Sequence, residues 1–209
     1  MKPVLEIFSI LIILLGQNIQ AVKVYEFGIT LEENSKLIIT NDKPTLAAFT
    51  LCMDFSYRLE KNKRLLRTKN AEDLDIQIDS YSWVYHTTVM YVRVAGIWYL
   101  HIPDESSPPL DPFKWHTLCL SYDNKTQAFI LAFRNQILVE EINSFPNRTL
   151  SEDFLKYLYL GEKDSLFHFS GDMTRINIWS KVIDKATLMN ITNCQEPSYT
   201  ELPDILNWD

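Results

Sequence analysis

The fold class is decided by the stretch Phe49-Thr-Leu-Cys-Met-Asp-Phe55 and by a second one like it, Trp115-His-Thr-Leu-Cys-Leu-Ser-Tyr122. In both, a cysteine stands in the middle of a short apolar run, which is typical of a buried strand. In an exported protein, Cys52 and Cys119 are expected to form a disulfide between strands of one sheet or of two facing sheets. Closing a loop of that size stabilises the fold by about 4 kcal/mol in the chain-entropy model.

Alternating or β-branched runs of the same kind fill most of the remaining chain, separated by turn-forming pairs such as Asn41-Asp42. A short helix is predicted where Asp184 can cap the amphipathic stretch 185–191. Together these features predict an all-β chain, a two-sheet antiparallel sandwich with one short helix near the C-terminus. The predicted strands are Val22–Ile29, Lys36–Thr40, Leu46–Tyr57, Asp73–Asp79, Trp83–Ile102, Trp115–Tyr122, Gln127–Phe133, Gln136–Ile142, Phe154–Leu160 and Met173–Trp179.

Composition supports one folded domain. The chain has 209 residues, 46% of them hydrophobic, which is enough for a sizeable core and excludes a disordered chain. Its formal net charge is -7. Nucleic acid is therefore not an expected partner, because phosphate contacts require an excess of Lys and Arg.

Residues 1–21 are predicted to be a secretory signal peptide, which leaves residues 22–209 as the β-sandwich domain. Lys2 precedes an apolar run centred on residues 7–15, and polar residues lead from there to Ala21. The run is shorter than the roughly 20 residues that span a bilayer. A membrane anchor or a buried N-terminal helix is the alternative, and Glu6 beside the run is the feature that favours it.

Glycosylation signals agree with export. Asn124, Asn147 and Asn190 each begin an Asn-x-Thr triplet without proline. The chain is therefore expected to be a secreted, extracellular glycoprotein without a membrane span. A third cysteine, Cys194, is left over, and it either pairs with another chain or remains a free thiol.

Several motifs, in their order along the chain, resemble those of pentraxins. After the two cysteine strands, Leu158-Tyr-Leu-Gly-Glu-Lys-Asp164 looks like the strand that leads into the family's calcium loop. Phe169-Ser-Gly-Asp-Met-Thr-Arg-Ile-Asn-Ile-Trp179 resembles the strand before the family's helix, and Pro203-Asp-Ile-Leu-Asn-Trp208 resembles a segment near its C-terminus. The resemblance covers most of residues 22–208. It implies the jelly-roll sandwich that pentraxins share with legume lectins and laminin G modules.

The resemblance also implies calcium-dependent ligand binding. Glu162 and Asp164 match the family's Glu-x-Asp step, and Asn70 and Asp73 are the nearest candidates for its earlier Asp-Asn pair, in a different order and spacing. The family's longer loop for a second calcium is missing. Since calcium prefers six to eight oxygen ligands, the expectation is a single, degenerate calcium site. The alternative, which is favoured, is that Glu162 and Asp164 are solvated turn residues.

The function implied by the resemblance is non-enzymatic recognition of extracellular glycans, lipid headgroups or proteins, with no catalytic residues. One alternative is a structural subunit that assembles into an oligomer through Cys194. Another is a degenerate jelly-roll glycoside hydrolase, since Asp73-Leu-Asp-Ile-Gln-Ile-Asp79 places polar groups on one face of a strand. The acid position there is the amide of Gln77, which cannot protonate a leaving group.

Two further segments have open interpretations. The run Lys61-Asn-Lys-Arg-Leu-Leu-Arg-Thr-Lys69 holds five basic residues in nine. It is either a patch for sulfated glycans or anionic lipids, or a solvated connecting loop, and the loop is favoured. Phe167, His168 and Phe169 either form an apolar contact patch or pack partly inward.

Overall fold

The computed structural model describes residues 25–27, 35–38, 46–58, 63–79, 88–103, 110–141, 150–151, 154–161, 169–193 and 203. These residues form two antiparallel sheets of six strands each and one α-helix, α1 (Lys185–Thr192). The strands are β1 (Tyr25–Phe27), β2 (Ser35–Ile38), β3 (Ala48–Tyr57), β4 (Lys63–Thr68), β5 (Leu74–Asp79), β6 (Val89–Val94), β7 (Ile97–His101), β8 (His116–Asp123), β9 (Ala128–Phe133), β10 (Gln136–Glu141), β11 (Tyr157–Leu160) and β12 (Gly171–Trp179).

The strand order is β1-β12-β3-β8-β9-β10 in the first sheet and β2-β11-β4-β5-β6-β7 in the second. Alternate residues of each strand line the space between the sheets, as the period of two requires. In β3 these are Phe49, Leu51, Met53, Phe55 and Tyr57, all fully buried. The predicted two-sheet sandwich is confirmed.

The two cysteines lie on the other face of the first sheet. Cys52 and Cys119 are direct cross-strand partners on β3 and β8, and a disulfide joins them. Of the two arrangements that the sequence left open, the structure has the one within a single sheet.

Helix α1 covers this outer face of the first sheet. Asp184 caps the helix, because its side chain accepts a hydrogen bond from the backbone N–H of Thr187 at 3.0 Å. Leu188 and Ile191 pack against Trp179 and the disulfide in a second apolar cluster. No second described helix covers the outer face of the other sheet. Among the described residues, no helix is long and apolar enough to cross a membrane.

The prediction of a solvated loop over residues 61–69 was wrong for residues 63–68, which form β4. A β-bulge lies between Arg64 and Leu66, so that two consecutive leucines, Leu65 and Leu66, both face the core and are fully buried. The arginines on either side, Arg64 and Arg67, point to the outer face. Simple alternation does not predict this arrangement.

Two other predicted strands differ in detail. The segment predicted as one strand, Trp83–Ile102, contains the hairpin of β6 and β7, which turns at Ala95 and Gly96 with φ of 48° and 79°. Residues 154–156 form a 3₁₀ turn ahead of β11. Ala95 carries a Cβ in a left-handed turn position that favours Gly or Asn, so the turn has no clear sequence signal.

Candidate functional site

The outer face of the second sheet, which we call the open face, presents polar and aromatic side chains. It is built by the alternation of the strands: in β5, Leu74, Ile76 and Ile78 are buried in the core, so Asp75 and Gln77 face outward. Two rows of consecutive cross-strand partners result. The first row is Tyr159, Arg67, Asp75, Arg93 and Trp98, and the second is Arg64, Gln77, Tyr91 and Leu100.

The carboxylate of Asp75 organises the middle of the open face. Arg64 Nε donates to its Oδ1 at 3.0 Å, and Gln77 Nε2 donates to its Oδ2 at 2.7 Å. Asp75 is only 1% exposed. Both carboxylate oxygens are therefore engaged, and the side chain holds Arg64 and Gln77 in place.

Stacked pairs of a guanidinium and an aromatic ring flank this centre. Arg67 Cζ lies 4.5 Å from the ring centroid of Tyr159, and Arg93 Cζ lies 5.2 Å from that of Trp98. Tyr91 meets the Trp98 ring edge-on, with 6.4 Å between centroids. Such contacts hold both the planar cations and the rings in fixed orientations.

Apolar surface on this face is concentrated on the edge strand β7. Trp98 is 46% exposed and Leu100 is 39% exposed. Trp, Tyr and Arg are the residues that most often dominate binding energy at interfaces. The open face combines all three, positioned by strands rather than by loops.

The predicted calcium residues are only partly within the described residues. Asp73 is buried, and its two carboxylate oxygens accept hydrogen bonds from Ser151 N at 3.1 Å and Ser151 Oγ at 2.6 Å. Asn70 is exposed, and its Oδ1 accepts the N–H of Glu72 at 3.2 Å. Both predicted ligands therefore make structural hydrogen bonds in and around the turn between β4 and β5.

Glu162 and Asp164 lie outside the described residues. They continue from Gly161, whose N–H donates to Leu65 O at 2.9 Å near the start of β4. Asn70 and Asp73 follow the end of β4, so they lie at the opposite end of the sheet from Gly161. In the described part of the chain, no three His, Cys, Asp or Glu side chains converge as metal ligands would.

The other predicted positions are distributed as follows. Asn124 lies in the turn between β8 and β9, and Asn190 is exposed in the last turn of α1. Phe169 is buried in the core, so it packs inward. Asn147, Phe167, His168 and Cys194 lie outside the described residues.

A buried histidine, His116, lies at the end of the sandwich where β8 begins. His116 is 1% exposed and stacks between the rings of Tyr57 and Phe133. Its Nε2 donates to the backbone carbonyl of Asp111 at 2.6 Å, so the neutral ring carries its proton there and leaves Nδ1 bare. Burial lowers the pKa of His116, an effect that the Asp111 carbonyl partly offsets. Trp115, which directly precedes β8, is 45% exposed.

No protein-family model matches the sequence, and no curated protein matches it. Solved structures do. A heptameric SAP-like pentraxin from Limulus polyphemus matches with a TM-score of 0.67 and 10% identity, over 92% of this chain and 90% of that one. The chain has a pentraxin-like jelly-roll fold. The resemblance found in the sequence motifs is thereby confirmed at the level of the fold.

Two further solved structures have a fold similar to that of this chain. The Ruminococcus gnavus IT-sialidase CBM40, bound to α2,3-sialyllactose, matches with a TM-score of 0.51 and 16% identity, over 83% of this chain and 99% of that one. Domains LG4-5 of the mouse laminin α1 chain match with a TM-score of 0.53 and 14% identity, over 79% and 44%. All three structures share the two-sheet fold of this chain.

Proposed function

We propose that this chain is a secreted, non-enzymatic recognition module that binds an extracellular glycan on its open face. The observation that supports the proposal is the row of cross-strand partners in which the two guanidinium–aromatic stacks, Arg67 on Tyr159 and Arg93 beside Trp98, flank Asp75.

The chemistry of these side chains suits a sugar. A pyranose ring has an apolar C–H face that packs on an aromatic ring, and Trp98 offers such a surface at 46% exposure. Its hydroxyls need donors and acceptors in fixed positions, which Arg64 and Gln77 supply because Asp75 holds them. A flexible surface would first have to order these groups, at an entropic cost.

Export is supported by independent features. The disulfide between Cys52 and Cys119 is characteristic of oxidising compartments, and two predicted glycosylation sites, Asn124 and Asn190, lie at partly or fully exposed positions. The similar CBM40 structure holds a sialyllactose, which favours a glycan over a lipid headgroup or a protein as the ligand.

The open face lacks the groups that hydrolysis of a glycan would require, as far as it is described. Glycosidases use two carboxyl groups about 5–9.5 Å apart. On β5, Asp75 and Asp79 are four residues apart, which is about 13 Å along a strand. Asp75 is in addition fully engaged by Arg64 and Gln77. Binding without turnover is therefore the proposed activity.

A calcium-binding site is proposed separately, and glycan binding on the open face does not depend on it. The side-chain oxygens of Asn70 and Asp73 accept hydrogen bonds from Glu72 and Ser151, and both residues lie at the opposite end of the sheet from Gly161. Glu162 and Asp164 remain as candidate ligands. Titration calorimetry with calcium tests them: saturable heat that disappears in Glu162→Gln and Asp164→Asn is the expected result, and no heat at millimolar calcium would overturn the proposal.

The glycan proposal is tested by applying the mature, glycosylated protein to an array of glycans and measuring the strongest ligand by calorimetry. Trp98→Ala should weaken binding by about tenfold or more, as the loss of a buried aromatic contact does at interfaces. Trp115→Ala is a matched control, because its side chain is equally exposed, 45% against 46%, but it lies outside the open face, just before β8 of the first sheet. Absence of binding to every glycan, or equal losses in the two variants, would overturn the proposal.

A further inference from the structure

We infer that the ligand of the open face is an acidic glycan that lies across the strands and carries a carboxylate or sulfate on alternate sugars. The inference rests on the proposed function and narrows it to a chemical class and a length.

The spacing of Arg67 and Arg93 sets the spacing of the negative charges on the ligand. Arg67 on β4 and Arg93 on β6 are both cross-strand partners of Asp75 on β5. Their Cα atoms are therefore separated by two interstrand spacings, about 10 Å. One sugar of an extended glycan covers about one such spacing, so negative charges on every second sugar come opposite the strand positions of both arginines.

The charge balance of the open face favours an acidic ligand. Its two rows contain three arginines and one carboxylate, and Glu72 beside Arg93 adds a second carboxylate, in a chain whose net charge is -7. Arg64 and Gln77 already engage the carboxylate of Asp75. A planar guanidinium matches the geometry of a carboxylate or sulfate, with which it can form two parallel hydrogen bonds.

Of the three arginines, Arg93 can most easily replace its present ion-pair partner, Glu72, with an anionic group of a ligand. Its Nη2 contacts Glu72 at 2.6 Å, but the Glu72 side chain is 59% exposed, and such surface ion pairs add little stability. Its Nε is buried and has no hydrogen-bond partner within the described parts of the chain. A bound anionic group can therefore replace Glu72 at Nη2 at small cost.

The two aromatic residues of the first row set the length of the ligand. Tyr159 on β11 and Trp98 on β7 are four interstrand spacings apart, about 19 Å. At one sugar for each spacing, a chain of about five sugars places its first and last sugars at the two rings. The terminal sugars then stack on the aromatic rings, while the charged groups meet the arginines between them.

The test is a size series of hyaluronan oligosaccharides, which carry a carboxylate on alternate sugars, titrated into the glycosylated protein. Neutral chitin oligosaccharides of the same lengths are the control ligands. Affinity for hyaluronan should rise steeply from the disaccharide to the hexasaccharide, the first even-numbered length that covers five sugar positions, and then level off. It should fall with added salt because the contacts are ionic. The emission of Trp98 should change on binding, and Trp98→Phe should abolish that change.

Arg67→Gln and Arg93→Gln should each lower the affinity about tenfold or more, the expected loss of a charged hydrogen bond. Lys125→Gln removes the same charge from the exposed turn between β8 and β9 and should have no effect. Arg67→Lys keeps the charge but loses the planar fork, so an intermediate affinity is expected. Thermal unfolding of each variant shows whether the fold is retained.

The possible results separate the two proposals. Equal binding of chitin and hyaluronan oligosaccharides would overturn the acidic ligand and leave glycan binding on the open face intact. Hyaluronan binding that neither arginine variant weakens would overturn the assigned position. Equal binding of polyglutamate would identify an acidic peptide as the better ligand and overturn the glycan. Absence of binding to any saccharide would overturn both proposals.

Discussion

Gly171 occupies a position that only glycine can fill, and Gly171→Ala is expected to be severely destabilising. The residue opens β12 and pairs with Phe27 on β1 and Tyr57 on β3. Its φ is 156°, a region that residues with a side chain rarely adopt. A Cβ at this position would lie 2.0 Å from the carbonyl oxygen of Ser56.

Two unfavourable contributions therefore lower the free energy of unfolding of the variant. Forcing a side chain into this backbone conformation costs about 1–3 kcal/mol. Relieving a contact of 2.0 Å with backbone requires β12 to move away from β3 by more than 1 Å, and overpacking of this kind costs about 1–3 kcal/mol further. The free energy of unfolding should fall by about 2–6 kcal/mol. At about 2–4 °C per kcal/mol for a domain of this size, the melting temperature should fall by about 4–24 °C.

Urea unfolding followed by tryptophan fluorescence measures the change. Gly96→Ala is the matched control, because Gly96 also has a positive φ, 79°, but lies in the two-residue turn between β6 and β7. It should lose only about 1 kcal/mol, the conformational cost of replacing glycine in the left-handed region. Equal losses in the two variants would show that the contact with Ser56 contributes nothing, and the reasoning would fail.

Three further predictions concern stability. Replacing Cys52 and Cys119 together by Ala should lower the free energy of unfolding by about 4 kcal/mol, given their separation of 67 residues; a loss below about 1 kcal/mol in urea unfolding would contradict the loop-entropy argument. Because burial lowers the pKa of His116, the unfolded chain takes up its proton first as the pH falls below about 6.5, so stability should decrease from pH 7.5 to pH 5. His116→Gln should reduce that decrease, and an unchanged pH dependence would rule out this histidine as its source. Asp73→Ala should lose about 2 kcal/mol through its bonds to Ser151, equally with and without millimolar calcium; a loss seen only with calcium would identify Asp73 as a ligand instead.

The alternation of hydrophobic and polar residues was sufficient to predict the strands in which every second side chain faces the core. β3 and β8 were predicted within a few residues, because their core-facing side chains alternate with Cys52, Cys119 and other outward residues. The cap at Asp184 also follows from local chemistry, since an Asp side chain before an amphipathic run satisfies free N–H groups whatever the tertiary context.

β4 was missed because its bulge hides the pattern. The sequence Lys-Arg-Leu-Leu-Arg-Thr has two adjacent leucines between arginines, which suggests neither alternation nor burial. The extra residue at the bulge turns both leucines inward. Strand bulges depend on the partner strand, here β5, and the sequence of β4 alone carries no information about that partner.

The polar face of β5 was predicted, but the rest of the open face was missed for a related reason. Its residues occur in short, unremarkable pairs at every second position, such as Tyr91 with Arg93 and Trp98 with Leu100. That spacing is a signal for one face of a strand, but it does not show which strands are neighbours. Pairing of β11 with β4, and of β4 with β5, brings Tyr159 next to Arg67 and Arg67 next to Asp75.

The bulge in β4 makes the core and the proposed binding face depend on the same hydrogen-bond register. A deletion of one residue there would exchange inward and outward positions along part of the strand, drawing an arginine into the core and removing it from the open face. Selection against misfolding would then also preserve the open face, whether or not a ligand is bound there. Loops at the ends of the sandwich are free of that constraint, so relatives of this domain could diverge widely in their loops while keeping the same charged rows.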